Sequence, residues 1–144
     1  MKREFLDLGK QPLGSKFLSE EQFDTEFFYN LKVVFDDDTK LVSMKEFVKP
    51  EQIFDAEYPY WTSQSVPMIE HFKNTAKMLQ DEYEIDKVLE IGSNDGTFIK
   101  NFDRDKSVCV EPCDNFAKHT NEELNYKTYN NYWTTELAKT IGDN

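Results

Sequence analysis

The segment Lys87-Val88-Leu89-Glu90-Ile91-Gly92-Ser93-Asn94-Asp95-Gly96-Thr97-Phe98 constrains this chain more than any other. An apolar strand runs directly into a small polar turn with two glycines, and the turn opens a predicted helix, an order that belongs to α/β folds. Gly92 lets the backbone pass close to a ligand, Gly96 allows tight packing at the helix start, and the free N–H groups expected there face whatever fills the crevice. A lone G-x-x-x-G says little. It gains force from Glu111, 19 residues after Gly92, at the end of the next predicted strand Val108-Cys109-Val110-Glu111. A carboxylate so placed can accept hydrogen bonds from both hydroxyls of a ribose.

The flanking periodicities extend the pattern. From Ser65 the apolar residues Ile69, Phe72, Ala76, Leu79 and Tyr83 recur at three and four positions, so a helix is predicted, with Ser65 as its cap and Pro67 in its first turn. Beyond the polar link Glu84-Ile85-Asp86, strands are expected at 88–91, 107–111 and 126–129, and helices at 96–102, 114–124 and 134–141. Gly142 closes the last helix.

Residues 1–58 read as a small β-rich unit. Phe27, Tyr29, Leu31, Val33 and Phe35 fall at every second position, the spacing of one buried strand face. Asp36-Asp37-Asp38-Thr39 then makes a solvated turn, and residues 40–44 return as the second strand of a hairpin. Three contiguous carboxylates lack the spacing and the glycine of a calcium loop. Residues 59–84 join this unit to the α/β segment 85–144, and no internal repeat or low-complexity tract interrupts the order.

Composition removes several function classes. With 28 acidic against 17 basic residues the net charge is -11, which opposes nucleic acid and anionic membrane surfaces as partners. No apolar run is long enough to span a bilayer and Met1–Gln11 carries no signal-peptide core, so a cytoplasmic location is the default expectation. Cys109 and Cys113 are the only cysteines; without a second pair they make no zinc site of four thiolates and are expected to be buried thiols.

Two ligands fit the turn. A dinucleotide site normally shows G-x-G-x-x-G against a pyrophosphate, whereas this turn has Asn94 at the second glycine's place and adds Asp95. An anionic side chain there suits a cation, which favours S-adenosylmethionine (SAM), a sulfonium with an amino group, over NAD. The remaining reading is a strand-to-helix turn with no ligand.

Phe5-Leu6-Asp7-Leu8-Gly9-Lys10-Gln11-Pro12-Leu13, then Tyr58-Pro59-Tyr60-Trp61-Thr62-Ser63-Gln64-Ser65 with His71, then Val88–Thr97 and Val110-Glu111-Pro112 with Asn115, follow one another over nearly the whole chain. In that order they resemble the SAM-dependent sugar C-methyltransferases. The resemblance implies an α/β fold, here an incomplete Rossmann-like SAM-binding domain of three strands, preceded by the hairpin-rich unit. It implies SAM as cofactor and, as substrate, a nucleotide-linked 4-keto sugar methylated beside its keto group through an enolate. By the same resemblance Tyr60, Ser63, Ser65, Glu90, Gly92, Ser93, Asn94, Gly96, Glu111 and Pro112 are candidate SAM-site residues, and Tyr60 and His71 candidate catalytic groups. Each of the outer residues has an ordinary use as well: Tyr60 as packing, Ser65 as a cap, His71 as a surface histidine.

The chain departs from that family twice. The family's zinc unit uses two Cys pairs, and neither is present here, so zinc is not expected and apolar burial must hold the hairpin, at about 25 cal/mol per Å². The sequence also ends after the third predicted helix, which leaves out the far side of the crevice and the family's proton-transfer residues. A chain of this extent is expected to turn over little substrate alone, as a fragment or one half of a split enzyme; the alternative is a non-catalytic binding module. Residues 88–91 then form an edge strand open to a second chain or to self-association.

Overall fold

In the computed structural model, which describes residues 1–142, the chain forms two units, Met1–Ile53 and a second that begins at Phe54. In the first, β1 (Lys2–Pro12) pairs antiparallel with β2 (Phe28–Asp36), which pairs antiparallel with β3 (Val42–Met44); a single helical turn, α1 (Pro50–Ile53), follows. β1 carries register shifts between Glu4 and Leu6 and between Asp7 and Lys10. Gly9 permits the second irregularity at φ +68°, and its N–H donates to Asp7 Oδ1 at 2.9 Å. The expected hairpin forms, with Phe35 opposite Val42 and the Lys40 N–H bonded to the Asp36 carbonyl at 2.8 Å across the acidic turn.

The expected buried face of β2 does not form. Val34 is the best buried side chain of this unit at 3% exposure, while Phe27 is 41% exposed and Tyr29, Leu31, Val33 and Phe35 are half-buried. A three-stranded sheet is narrow, so its central strand is shielded best where neighbours flank it on both edges, and Val34 sits between Glu4 and Ser43. Cross-strand ion pairs edge the sheet: Arg3 to Asp37 at 2.8 Å, Lys32 to Asp7 at 2.8 Å and Lys45 to Glu4 at 2.9 Å. Lys32 holds the Asp7 carboxyl below the usual range, with the Gly9 N–H adding to it. Exposed pairs like these fix register more than they stabilise.

The second unit places α2 (Val66–Glu82) before a parallel sheet of β4 (Val88–Ile91), β5 (Ser107–Val110) and β6 (Lys127–Tyr129) in the order β4-β5-β6. Between β5 and β6 runs α3 (Asp114–Lys118), continuing as a wider turn over His119–Glu123, and α4 (Thr135–Gly142) follows β6. The predicted strands are all present, with the second ending and the third starting one residue away from the expected bound. Pro67 stands in the first turn of α2 as expected, but Ser65 makes no side-chain capping bond. Phe72 of α2 packs on Phe98 with ring centroids 5.1 Å apart, and Phe98 on Phe102 at 5.3 Å. Ile99, Cys109 and Tyr126 form the buried centre, with Val88 and Leu124 against them, and the Tyr126 hydroxyl donates to the Phe102 carbonyl at 3.1 Å.

The predicted helix over 96–102 is not an α-helix. Only a tight turn at Ile99–Asn101 forms, followed by a second at Arg104–Lys106 that Asp103 caps by accepting from the Asp105 N–H. Two left-handed residues, Asn94 at φ 48° and Gly96 at φ 73°, precede it and hold the backbone out of helical geometry through Gly96. Cys109 and Cys113 are buried, as expected. β4 lies at the sheet edge with Leu89 40% and Ile91 51% exposed. Among the described residues no helix is long and apolar enough to cross a membrane.

Candidate functional site

Parallel pairing of β4 with β5 brings Ile91 level with Val110, so the turn after β4 and the carboxylate after β5 emerge at the same end of the sheet. Gly92 (φ 73°) starts the turn, and a Cβ there would meet nothing within 4 Å, so its outer side is open. Gly96 (φ 73°) faces the opposite condition, since a Cβ there would stand 2.9 Å from Leu124 Cδ1 and 3.1 Å from Thr120 Cγ2. Gly96 is the tight packing point that its spacing suggested.

Glu111 is 4% exposed and clamps the two strand ends together. Its Oε2 accepts from the Asn94 N–H at 2.7 Å and its Oε1 from the Cys113 N–H at 2.8 Å. Both oxygens keep a further lone pair for a ligand hydroxyl. Asn94 is a hub: its Oδ1 accepts from the Thr62 N–H and hydroxyl, each at 3.0 Å, and its Nδ2 donates to the Tyr60 carbonyl at 3.0 Å. Asp95, 3% exposed, accepts from Ser63 N–H at 2.7 Å, from Thr97 N–H at 3.2 Å and from Thr97 Oγ1 at 2.6 Å. Burial pushes the Asp95 carboxyl up, but the bonds from Thr97 and Ser63 together outweigh it and hold the group below the usual range.

These bonds correct one expectation. The N–H groups of the turn do not face an empty crevice: Gly92 donates to the Val110 carbonyl at 2.7 Å, Gly96 to Ser93, Asn94 to Glu111 and Thr97 to Asp95. Most of the donors that an anion cradle would need already have acceptors, two of them carboxylates. Glu90 adds a third acid. Burial pushes it up to about 8, against a bond from the Ile99 N–H, with the charges of Glu111 and Asp95 adding to the rise. Its Oε2 and the Oγ of Ser93 are buried atoms with no hydrogen-bond partner.

The other candidates are divided. Tyr60 and Ser63 reach the turn through their backbones, and the Tyr60 ring is half exposed. Ser65 ends the short turn Thr62–Gln64, bonding through its N–H to the Thr62 carbonyl. Pro112 is half-buried beside Glu111. His71 is exposed on α2 with its ring 5.7 Å from Phe72, and no hydrogen bond joins it to the turn among the described residues. Sequence reasoning missed Thr62, which is 7% exposed and doubly bonded to Asn94, and Trp61, whose ring packs on Phe116 at 4.8 Å and on His119 at 5.3 Å. Asn115 donates to the Tyr58 carbonyl at 3.3 Å, so the 58–63 segment is tied to both strand ends. Two clefts, of about 370 and 670 Å³, lie near the amino-terminal ends of the strands, lined among others by Val88, Phe102 and Ser107 and by Leu89, Val108 and Lys127. Neither touches the turn.

Residues 1–54 match the methyltransferase family model Methyltransf_13, described as "Putative zinc binding domain". No curated protein matches the chain. The N-terminal part is therefore similar to a domain found in that methyltransferase family, but its residues do not fit a zinc site. Residues 1–54 contain neither Cys nor His, and no cluster of three or more metal-ligating side chains occurs among the described residues. Carboxylates alone are not the nitrogen and sulfur set that a structural zinc takes.

Proposed function

We propose that the segment from Phe54 is the first part of a Rossmann-like SAM-binding domain, in a methyltransferase of the sugar C-methyltransferase type. What carries this reading is the charge of the turn: most of its N–H groups already have acceptors, and the carboxylates of Asp95 and Glu111 flank it. A pyrophosphate needs free N–H groups and would be repelled by these acids; a sulfonium with an ammonium group is attracted by them. The Glu111 carboxylate, held by Asn94 and Cys113, is aligned to accept from ribose hydroxyls. The open side of Gly92 gives a ligand room to approach, and the family match over residues 1–54 supports methyl transfer as the reaction class.

Bound SAM would supply an electrophilic methyl group. The chain's own residues would bind and orient it: Glu111 through the ribose, the acids of the turn through charge, and the 58–63 segment, tied to Asn94, Asp95 and Asn115, as one wall. The methyl acceptor, a nucleotide-linked 4-keto sugar, rests on the resemblance. Tyr60 is better placed than His71 to reach a substrate, since its backbone is anchored at the turn. Calorimetric titration with S-adenosylhomocysteine and with NAD tests the reading. Saturable binding of the first and none of the second is expected; NAD binding alone would overturn it.

The exposed Leu89 and Ile91 at the β4 edge favour a second reading alongside the first, in which another polypeptide adds a strand there. Self-association has to overcome the net charge of -11, so a separate chain is the better partner. Sedimentation of the chain at rising concentration tests this: a monomer throughout fits a separate partner, and a stable dimer would contradict it.

A further inference from the structure

The larger cleft, of about 670 Å³, lies at the amino-terminal ends of the parallel strands, and its charge is unlike that of the rest of the chain. Parallel pairing collects at one end whatever precedes each strand. Lys87 stands immediately before β4, Lys106 immediately before β5, and Lys127 opens β6, with Val88 beside Ser107 and Val108 beside Lys127 in the register. With Arg104 the cleft carries four cations against the two acids Asp86 and Asp105, the reverse of a chain with 28 acidic and 17 basic residues. Both acids are already paired, Asp86 with Lys106 at 3.7 Å and Asp105 with Arg104 at 3.9 Å. Lys87 and Lys127 have no carboxylate partner among the described residues. The Lys127 ammonium lies 5.3 Å from the centre of the Tyr129 ring, which holds it without neutralising it. Val88, Val108 and Ile141 give the cleft an apolar floor, and Leu89, 40% exposed, belongs both to the cleft and to the open edge of β4. The first sheet blunts its edges, β1 by two register shifts and β3 by its three-residue length, whereas β4 pairs with β5 without a break and leaves its other edge open.

We propose that this cleft and the β4 edge together take an acidic, strand-forming segment of a separate polypeptide. Its backbone pairs with β4, its apolar side chains cover Leu89 and the cleft floor, and its carboxylates meet Lys87 and Lys127. The proposal rests on the reading of the β4 edge as the place where another polypeptide adds a strand, and it names the charge that this polypeptide carries. Charge decides between occupants. A second copy brings its whole net charge of -11 against the rest of the chain, whereas a partner acidic in this segment alone meets the cations of the cleft without that repulsion. Exposed ion pairs change affinity by about 1.4- to 5-fold each, so the two lysines together change it by about 2- to 30-fold.

The test is titration of the isotopically labelled full chain, followed by amide chemical shifts, with the peptide Glu-Glu-Val-Thr-Val-Thr-Val-Glu-Glu and with its counterpart carrying Lys at the Glu positions. Long-range attraction to an acidic chain favours the basic peptide, so a preference for the acidic one arises at the cleft itself. Saturable shifts at 87–91, 104–108 and 125–127 are expected with the acidic peptide and none there with the basic one. Lys87→Gln combined with Lys127→Gln keeps the fold, because both side chains are exposed, and it should weaken the acidic peptide by about 2- to 30-fold. Sodium chloride at about 1 M, where the Debye length is about 3 Å, should weaken it for the wild type as well. Equal binding of both peptides at β4 would overturn the charge assignment and leave the β4-edge reading standing. Binding of neither would overturn both. The same shifts in the chain alone as its concentration rises would make a second copy the occupant and overturn the proposal.

Discussion

Replacing Gly96 with alanine tests the packing that shapes the turn. Two effects add at this position. The residue sits at φ 73°, where an L side chain is strained by about 1–2 kcal/mol. Its Cβ would also stand 2.9 Å from Leu124 Cδ1 and 3.1 Å from Thr120 Cγ2. Overpacking of this kind costs about 1–3 kcal/mol, and the lower half applies because Leu124 Cδ1 is the movable end of a side chain. The sum is about 2–4 kcal/mol. Gly92→Ala is the matched control, since it has the same φ and nothing within 4 Å of the new Cβ, so it should lose only the backbone part, about 1–2 kcal/mol. Urea unfolding of both variants, followed by far-UV circular dichroism, gives the difference directly. Equal losses for the two would refute the claim that Gly96 is required by close packing.

Four further outcomes follow from the same geometry. Glu111→Ala leaves the buried donors of Asn94 and Cys113 without acceptors and should destabilise the second unit by about 2–5 kcal/mol in chemical denaturation. Its loss of ligand binding is therefore informative only at temperatures where folding is verified. Thr62→Val removes the hydroxyl bond to Asn94 and should cost about 1 kcal/mol in the same assay. The Asp95 carboxyl is held below its ordinary range, so it contributes stability above the unfolded-state pKa that is lost as pH falls through the folded one. Denaturation of wild type and Asp95→Asn against pH should show their difference shrinking below about pH 4. EDTA should leave the melting temperature unchanged, because residues 1–54 offer zinc neither Cys nor His.

The sequence made the second unit more legible than the first, and the reasons are physical. β4, β5 and β6 are short runs rich in β-branched and aromatic residues and bounded by polar turns, so composition and position agree. The α-helix expected after Gly96 does not form where Asn94 and Gly96 both adopt positive φ, a backbone conformation that a period count does not register. β1 was not singled out because Lys2–Pro12 mixes charged residues, a glycine and a proline, poor strand formers that its register shifts accommodate. In β2 the alternation located the strand, but neither face is buried along its length, since burial there peaks at Val34 in the centre of a narrow sheet. At the site, Gly96 and Glu111 were legible by spacing. Asn94 as hub and Thr62 as its partner were not, because 32 residues of chain separate them and only the fold brings them to 3.0 Å.

The proposed SAM site lies between the turn at 92–96 and the carboxylate of Glu111. Titration of the isotopically labelled chain with S-adenosylhomocysteine, followed by amide chemical shifts, probes that site residue by residue. Saturable shifts grouped at Gly92, Ser93, Asn94, Gly96, Glu111 and the 58–63 segment are expected. Shifts confined to the clefts near Val88, Phe102 and Lys127, or none at all in a folded chain, would contradict it.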